Sequence, residues 1–190
     1  MKILITAFGS FLKNNINSSL ECMNELPSSI NGAEIFKCEL PVSYIGARMK
    51  LLSLIEENKP NLVISLGLAA NRKSISIEYQ AFNIMDSIYP DNDGSIFNNK
   101  IIDENQENSI KTQLDLEKII NVLKRKYAFI TISDNPGRYV CNTVYFSSLS
   151  MQKNNNLKSI FIHLPTFEVV SKENMVSCLV DIISELIANC

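Results

Sequence analysis

The 190-residue sequence has little net charge, a single histidine and no tryptophan. Its 18 Lys and Arg residues against 20 Asp and Glu residues give a formal net charge of -2. We therefore expect neither a basic surface for nucleic acid nor an acidic tail. No apolar run approaches the ~20 residues that a membrane-spanning helix requires. The sequence thus predicts a protein that binds neither nucleic acid nor membranes.

The cysteines form no recognisable pattern either. They are five in number and show no CxxC spacing, and a chain of this length can fold without disulfides. One histidine and scattered cysteines offer no metal-ligand spacing, and no P-loop or glycine-rich dinucleotide fingerprint is present. The start MKILITAF is followed by no small-residue cleavage site, so it is interpreted as a first strand. We expect a cytoplasmic protein without metal or cofactor.

Strand-like and helix-like segments alternate along the sequence. Continuous apolar runs of strand length include KILITAF, NLVISLGLA and KSIFIHL, and helical patterns lie between or after them, such as SYIGARMKLLSLIEEN and SKENMVSCLVDIISELIANC. This alternation predicts an α/β fold, namely a single three-layer α/β/α domain over residues 1–190 with a largely parallel, mixed sheet.

Three local patterns refine this prediction. Four apolar residues at helical spacing are expected to form the buried face of one helix: Ile45, Met49, Leu52 and Ile55. The segment SISIEYQAFN alternates apolar and polar residues, which assigns Glu78 to a polar strand face. Residues 86–108 are rich in Asn, Asp, Ser and Pro without a sustained period, so they are expected to form a long surface loop.

Cys141 is the cysteine best placed for chemistry. It follows the Pro136–Gly137 turn in SDNPGRYVCN and stands where a helix is expected to begin. A helix N-terminus with a basic partner lowers a thiol pKa from about 8.5 to roughly 3.5–7.5. This placement therefore favours a nucleophilic thiolate. The other four cysteines lie in apolar-periodic segments and are interpreted as small buried hydrophobes.

A nucleophilic cysteine requires a base and a group that orients the base. His163 lies at the end of the strand SIFIH, and functional groups collect at the carboxyl ends of strands in open α/β sheets. Glu78 is a carboxylate that could orient it. The residues alone leave other interpretations open: His163 satisfied by local hydrogen bonds, and Glu78 as a solvated charge on a strand face.

Six segments stand in an order and at a spacing typical of one family. They are ILITAFGSF, NSSLE, PNLVISLGLA, ISIEYQAFNIMDSIYPDNDG, GRYVCN and FIHLP. Together they resemble pyroglutamyl peptidase type I, or pyrrolidone carboxyl peptidase, a family of cysteine exopeptidases. The resemblance runs nearly end to end. It implies one α/β/α domain, often assembled into a homotetramer, and N-terminally pyroglutamylated peptides as substrates.

The resemblance also implies a role for individual residues. Cys141 matches the family's nucleophile, His163 the general base and then acid, and Glu78 the orienting carboxylate. Three aromatic residues match those that hold the flat pyroglutamyl ring in the family: Phe8, Phe11 and Tyr139. At the position of Tyr139 the family commonly has Phe. The implied reaction is acyl transfer through a thioester, which water then hydrolyses to release pyroglutamate.

One departure from the family affects the expected rate. Ile88 stands where the family has an arginine thought to help stabilise the oxyanion, and loss of one oxyanion donor costs on the order of 100-fold to 1000-fold. A slow pyroglutamyl peptidase is therefore expected. Two alternatives are a divergent cysteine hydrolase of the same fold that acts on another cyclic or amide substrate, and a non-catalytic relative that binds a small ligand or a peptide terminus.

Overall fold

A mixed sheet with helices on both faces forms the centre of the protein. The computed structural model describes residues 1–9, 16–152 and 157–189. Its strands are β1 (Lys2–Phe8), β2 (Ser29–Ile30), β3 (Ala33–Leu40), β4 (Leu62–Leu68), β5 (Ile75–Glu78), β6 (Gln80–Phe82), β7 (Ser109–Lys111), β8 (Ile130–Ser133) and β9 (Lys158–Leu164). Its helices are α1 (Ser18–Glu25), α2 (Tyr44–Asn58), α3 (Leu116–Leu123), α4 (Val140–Ser150) and α5 (Lys172–Ala188).

Seven strands are hydrogen-bonded in the order β2-β3-β1-β4-β9-β5-β8. Strands β3, β1, β4 and β9 run parallel, and β2 is antiparallel to β3. Strand β5 is antiparallel to β9 and parallel to β8. Strands β6 and β7 form a separate antiparallel pair. The predicted α/β class and the largely parallel, mixed sheet are confirmed.

Two hydrophobic cores lie on opposite faces of the sheet. Helices α1, α3 and α5 bury their apolar residues in one core, and α2 and α4 bury theirs in the other. Successive residues of a strand point to opposite faces, and in β4 Ile64 lies in the first core whereas Val63 lies in the second. Because both faces are covered, the central strands are apolar almost throughout.

The predicted buried face of α2 is partly wrong. Ile45 and Met49 are 47% and 66% exposed. The residues that α2 buries are instead Tyr44, Ala47, Leu51 and Ile55. The predicted and the observed buried residues both recur at helical spacing, since apolar residues surround much of this helix. Packing against α4 and the sheet decides which of the two faces is buried, and a periodic pattern alone does not.

The polar strand face predicted for Glu78 is also wrong. All four residues of β5 are buried, because β5 lies between β9 and β8 with helices on both sides. The alternating segment is not one strand, since β6 leaves the large sheet and pairs with β7. Glu78 is 0% exposed, so its carboxylate must find partners inside the protein.

The predicted loop at 86–108 is irregular but tightly held. Asn83 is buried, and its side chain bonds to backbone groups of Ile102, Asp103 and Gln106. Asp91 is buried as well; its carboxylate accepts the backbone N–H of Tyr44 at 2.9 Å. Asn83 thus ties the loop to the residue that follows β6, and Asp91 ties it to the start of α2.

Helix α4 begins differently from the other helices in the described ranges. Four helices have an N-cap whose side chain accepts a backbone N–H of the first turn: Asn17, Ser43, Asp115 and Ser171. The N-cap of α4, Tyr139, makes no such bond. The first N–H groups of α4 are therefore not consumed by a capping side chain. No described helix is long and apolar enough to cross a membrane.

Candidate active site

The antiparallel pairing of β5 and β9 brings Glu78 and His163 together. Glu78 is paired with Phe161, and His163 with Ser76, so Glu78 and His163 are diagonal neighbours on one face of the sheet. Nδ1 of His163 lies 2.7 Å from Oε1 of Glu78, and both residues are buried. An ionised carboxylate only accepts, so Nδ1 carries the proton and Nε2 is the basic nitrogen.

Cys141 is the second residue of α4 and packs over the strand next to His163. A Cβ added to Gly67 would lie 3.1 Å from Sγ of Cys141 and 2.9 Å from Cζ of Phe161. Gly67 is the residue of β4 paired with His163 of β9. The thiol therefore occupies space that is free because residue 67 is a glycine. Gly67 lies on β4, the strand next to the one that carries His163.

Burial and charge set the protonation states of the His163–Glu78 pair. Burial lowers the pKa of His163 below its usual 6.5; Glu78 opposes this effect, and the charge of Arg72 adds to it. Burial alone would raise the pKa of Glu78, but its hydrogen bond with His163, the His163 charge, the Ser133 hydroxyl and Arg72 hold that pKa below 4.5. The resting pair at neutral pH is thus an ionised carboxylate and a neutral imidazole.

The predicted low pKa of the Cys141 thiol is wrong. Its pKa is raised to about 12, first by burial and then by the charge of Glu78, whereas its own backbone N–H and the charge of Arg72 act in the opposite direction. Desolvation of a thiolate thus outweighs the helix N-terminus. Formation of the nucleophile requires proton transfer to a base rather than prior ionisation.

A cavity of about 130 Å³ adjoins the thiol. Its walls are mostly apolar and consist of Phe8, Asn17, Val42, Leu68, Ala70, Tyr139, Val140 and Cys141. A cavity of about 150 Å³ holds a benzene ring, so this one suits a single five-membered ring. Of the three predicted pocket residues, Phe8 and Tyr139 line the cavity, and Phe11 lies outside the described residues.

Tyr139 is held in place by an aromatic group and by the 86–108 loop. Its ring packs edge-on against Tyr44 at 5.2 Å between centroids, and Tyr44 packs in the same way against Phe97 at 5.0 Å. Its hydroxyl donates to the carbonyl of Pro90 at 3.1 Å. Since Tyr139 is also the N-cap of α4, these contacts fix one cavity wall and the start of the helix that carries Cys141.

Asn142 and Arg72 are site residues that sequence reasoning missed. Asn142 is fully buried; it accepts the N–H of Phe82 and donates to the carbonyls of Phe82 and Ile84, each at 2.8 Å. These bonds tie α4 to β6. Nη1 of Arg72 lies 2.6 Å from Oε1 of Glu78. Asn142 could have been found from the sequence, because it is a polar residue within the apolar helical segment VCNTVYF. Arg72 could not, because nothing in its loop sequence distinguishes it from a surface arginine.

Asn17 is a third such residue. Asn17 is the N-cap of α1, and its side-chain oxygen accepts the N–H of Ser19 at 3.1 Å. Its amide nitrogen also donates to the carbonyls of Phe8 and Gly9 at 2.9 Å each. One buried side chain therefore caps α1 and fixes the end of β1 at the cavity wall.

Ile88 does not line the cavity, since its side chain is 83% exposed. It therefore neither supplies nor blocks an oxyanion donor.

The N–H groups of Val140 and Cys141 precede the first hydrogen-bonded N–H of α4, which is that of Asn142. A helix N-terminus favours negative charge, so these two groups are the candidates for stabilising an oxyanion. The described residues contain no cluster of three or more metal-ligating side chains.

Comparison with known sequences identifies one family. The model of the family described as pyroglutamyl peptidase matches residues 1–186. The pyrrolidone-carboxylate peptidase of Thermococcus onnurineus is 38% identical over 167 residues, which cover 87% of this chain and 84% of that protein. The pyrrolidone-carboxylate peptidase of Thermosipho africanus is 36% identical over 185 residues, which cover 95% and 90%.

Solved structures agree with the sequence relatives. A mutant pyrrolidone carboxyl peptidase from Pyrococcus furiosus superposes with a TM-score of 0.91 and 29% identity over 97% of each chain. The pyrrolidone carboxyl peptidase of Fervidobacterium islandicum superposes with a TM-score of 0.94 and 25% identity over 100% of each chain. By family match, by sequence identity and by fold, this chain belongs to the pyroglutamyl peptidase family.

Proposed function

We propose that this protein hydrolyses the amide bond after an N-terminal pyroglutamyl residue, with Cys141 as nucleophile, His163 as general base and then acid, and Glu78 as the carboxylate that orients His163. The protein is a cysteine exopeptidase. The observation that carries the proposal is the 2.7 Å contact of Glu78 with His163 on the sheet face over which the Cys141 thiol packs. Family membership supports the same activity.

Acylation begins with a neutral thiol and a neutral imidazole. As Sγ of Cys141 attacks the carbonyl carbon, Nε2 of His163 takes the thiol proton. The carbonyl oxygen becomes an oxyanion, and the N–H groups of Val140 and Cys141 stabilise it. When the tetrahedral intermediate collapses, the C–N bond breaks and the imidazolium gives its proton to the departing amine. A pyroglutamyl thioester remains on Cys141.

Deacylation repeats these steps with water as the nucleophile. His163 takes a proton from water while the oxygen attacks the thioester carbon, and the same N–H groups stabilise the second oxyanion. The C–S bond then breaks, pyroglutamate leaves, and the thiolate recovers its proton from the imidazolium. Glu78 stays ionised throughout because it has to stabilise the imidazolium each time it forms.

The cavity accounts for selectivity toward the lactam. Its walls contain no charged side chain among the described residues, so it offers nothing to pair with the ammonium group of an ordinary N-terminus. A flat, uncharged ring fits this environment. We assign Phe8 and Tyr139 to ring contact, and Phe11 joins them by its match to the family.

We further propose that residues 1–190 form one domain, that the protein is a cytoplasmic homo-oligomer, and that its assembly is a tetramer. The resemblance to the family supports these assignments, and Ile45 and Met49 give α2 an exposed apolar face for subunit contact. The mass of the purified protein in solution, measured by light scattering, tests the assembly. A monomer at micromolar concentration would refute it.

Fluorophore release from a pyroglutamyl-fluorophore amide under reducing conditions tests the activity. We expect turnover by the wild type and by a Cys38→Ala variant, since Cys38 is a half-buried thiol on β3 outside the cavity. We expect no turnover by Cys141→Ala. Equal rates for wild type and Cys141→Ala would refute the proposal, and cleavage of other amides but not this one would favour a divergent cysteine hydrolase.

A further inference from the structure

Arg72 contacts Glu78 from the turn between β4 and β5. Its Nη1 lies 2.6 Å from Oε1 of Glu78, and its Nη2 donates to the carbonyl of Asn135 at 2.9 Å. The Arg72 side chain is 25% exposed, whereas that of Glu78 is 0% exposed. The guanidinium thus reaches from the protein surface to a buried carboxylate.

Arg72 and His163 bind the same oxygen. Nδ1 of His163 lies 2.7 Å from Oε1 of Glu78, the atom that Arg72 also contacts. Oε2 accepts no hydrogen bond of ordinary geometry within the described residues, although the Ser133 hydroxyl is close enough to lower the pKa of Glu78. The buried negative charge therefore has one permanent cation, Arg72, and one partner that can become a cation, His163.

Charge balance gives these contacts a consequence. A buried carboxylate paired only with an imidazole favours the imidazolium, since nothing else compensates its charge. A guanidinium is always protonated, so with Arg72 in contact the Arg72–Glu78 pair is neutral. Glu78 then orients His163 through its hydrogen bond with little demand that His163 be charged.

We propose that Arg72 is a positioning residue that neutralises Glu78, so that the carboxylate orients His163 while leaving it an uncharged base before each proton transfer. The inference rests on the proposed function of His163.

The contact of Arg72 with Asn135 has a second effect. Asn135 precedes the turn that leads to Cys141, and its side chain accepts the N–H of Gly137 at 3.2 Å. Arg72 thus connects the histidine's partner to the loop before α4.

The electrostatics of the neighbouring groups agree with this assignment. Arg72 lowers the pKa of His163 and that of Cys141, whereas Glu78 raises both. Arg72 therefore acts against Glu78 on the base and on the nucleophile. The remaining titratable group of α4 near this pair is Tyr145, whose hydroxyl donates to the carbonyl of Glu78 at 2.8 Å. Burial raises its pKa well above 10, so it stays neutral.

Two substitutions separate charge from geometry. Arg72→Gln retains an amide donor but removes the charge, and Arg72→Lys keeps the charge but loses the fork that spans both partners. The readout is the NMR titration of the imidazole, which is free of overlap because His163 is the only histidine. This measurement does not require activity, so it can succeed even if the protein fails to cleave pyroglutamyl amides.

We expect the His163 titration midpoint to rise in Arg72→Gln and to stay near that of the wild type in Arg72→Lys. The acid limb of kcat/KM should move to the same higher pH, and a midpoint that is higher by about one pH unit should lower the rate on that limb about tenfold. An unchanged midpoint in folded Arg72→Gln would overturn the inference. Equal changes of the His163 midpoint in Arg72→Gln and Arg72→Lys would also overturn it, because the charge of residue 72 would then not be what sets the midpoint. Should Arg72→Gln fail to fold, Arg72→Met and Arg72→Lys provide the same comparison.

Discussion

Nδ1 of His163 lies 2.7 Å from Oε1 of Glu78, although the two residues are 85 positions apart in the sequence. The contact depends on strand direction. Strand β5 runs antiparallel to β9, so its last residue is paired with the middle of β9 rather than with the carboxyl end. A parallel β5 would place Glu78 at the carboxyl edge of the sheet and change its neighbours on the face where Cys141 packs.

The acid limb of the rate profile should lie below the usual histidine pKa. Catalysis requires neutral His163, and burial lowers the pKa of His163 below 6.5. We therefore expect the midpoint of the acid limb of kcat/KM to lie below pH 6.5, at the lower folded-state pKa. The unfolded chain binds this proton more readily, so His163 should also lower stability as pH falls below 6.5. A kinetic pKa at or above 6.5 would contradict the assignment.

Gly67→Ala should lower both the catalytic rate and the stability. The new Cβ would lie 2.9 Å from Phe161 Cζ and 3.1 Å from Cys141 Sγ, so the thiol has to move. A misplacement of about 1 Å can cost about 100-fold in rate, and overpacking costs about 1–3 kcal/mol. Gly46→Ala is the control, since Gly46 lies in α2, does not line the cavity, and its new Cβ would lie 3.1 Å from Ser43 Oγ rather than near the thiol. Similar kcat/KM for both variants would show that the position of the Cys141 thiol does not depend on the space left by Gly67.

Asn142→Ala should lower the free energy of unfolding by about 2 kcal/mol or more. It leaves the N–H of Phe82 and the carbonyl of Ile84 without their partner, and each such group costs about 1–3 kcal/mol, whereas the carbonyl of Phe82 still accepts the N–H of Ile84. Urea denaturation followed by circular dichroism measures the change. Asn58→Ala removes one half-buried bond to Leu54 and should cost about 1 kcal/mol. Equal losses would rule out the tie between α4 and β6.

Two substitutions of Tyr139 should differ in their effect on substrate binding. Tyr139→Phe keeps the cavity wall and loses a hydrogen bond to Pro90, so KM should change little. Tyr139→Ala removes the wall, and because a buried large apolar side chain contributes about 1.5–3 kcal/mol, KM should rise by roughly tenfold or more. Steady-state kinetics on a pyroglutamyl amide compares them. An unaffected KM in Tyr139→Ala would exclude Tyr139 from ring contact.

Ile88→Arg should leave kcat nearly unchanged. The side chain at this position is 83% exposed and does not line the cavity, so an arginine here should extend into solvent rather than toward the oxyanion. Steady-state kinetics on a pyroglutamyl amide measures the effect. A rise in kcat of about tenfold would instead show that an arginine here reaches the oxyanion and that its absence slows the enzyme.

Local patterns in the sequence were sufficient for most of the long strands and helices and for two of the three proposed catalytic residues, but not for the division of SISIEYQAFN into β5 and β6. Apolar runs and alternation predicted β1, β4 and β9, and turn and capping residues predicted that a helix begins near Cys141 and another at Ser171. Such signals are carried by residues close together in the chain. The same patterns placed Cys141 at a helix start and His163 near a strand end, and the fold class followed from the alternation of elements.

Tertiary structure decided what depends on distant neighbours. The antiparallel direction of β5 buries Glu78 and pairs it with His163, and packing selects which apolar stripe of α2 is buried. The thiol pKa changed direction from the prediction because desolvation depends on every atom around Cys141. Arg72 acquires its contact with Glu78 only when the turn after β4 folds over the end of β5. The sequence by itself determined which groups can do the chemistry, and the tertiary structure decided their charges, because burial and partners are set by strand pairing across the whole chain.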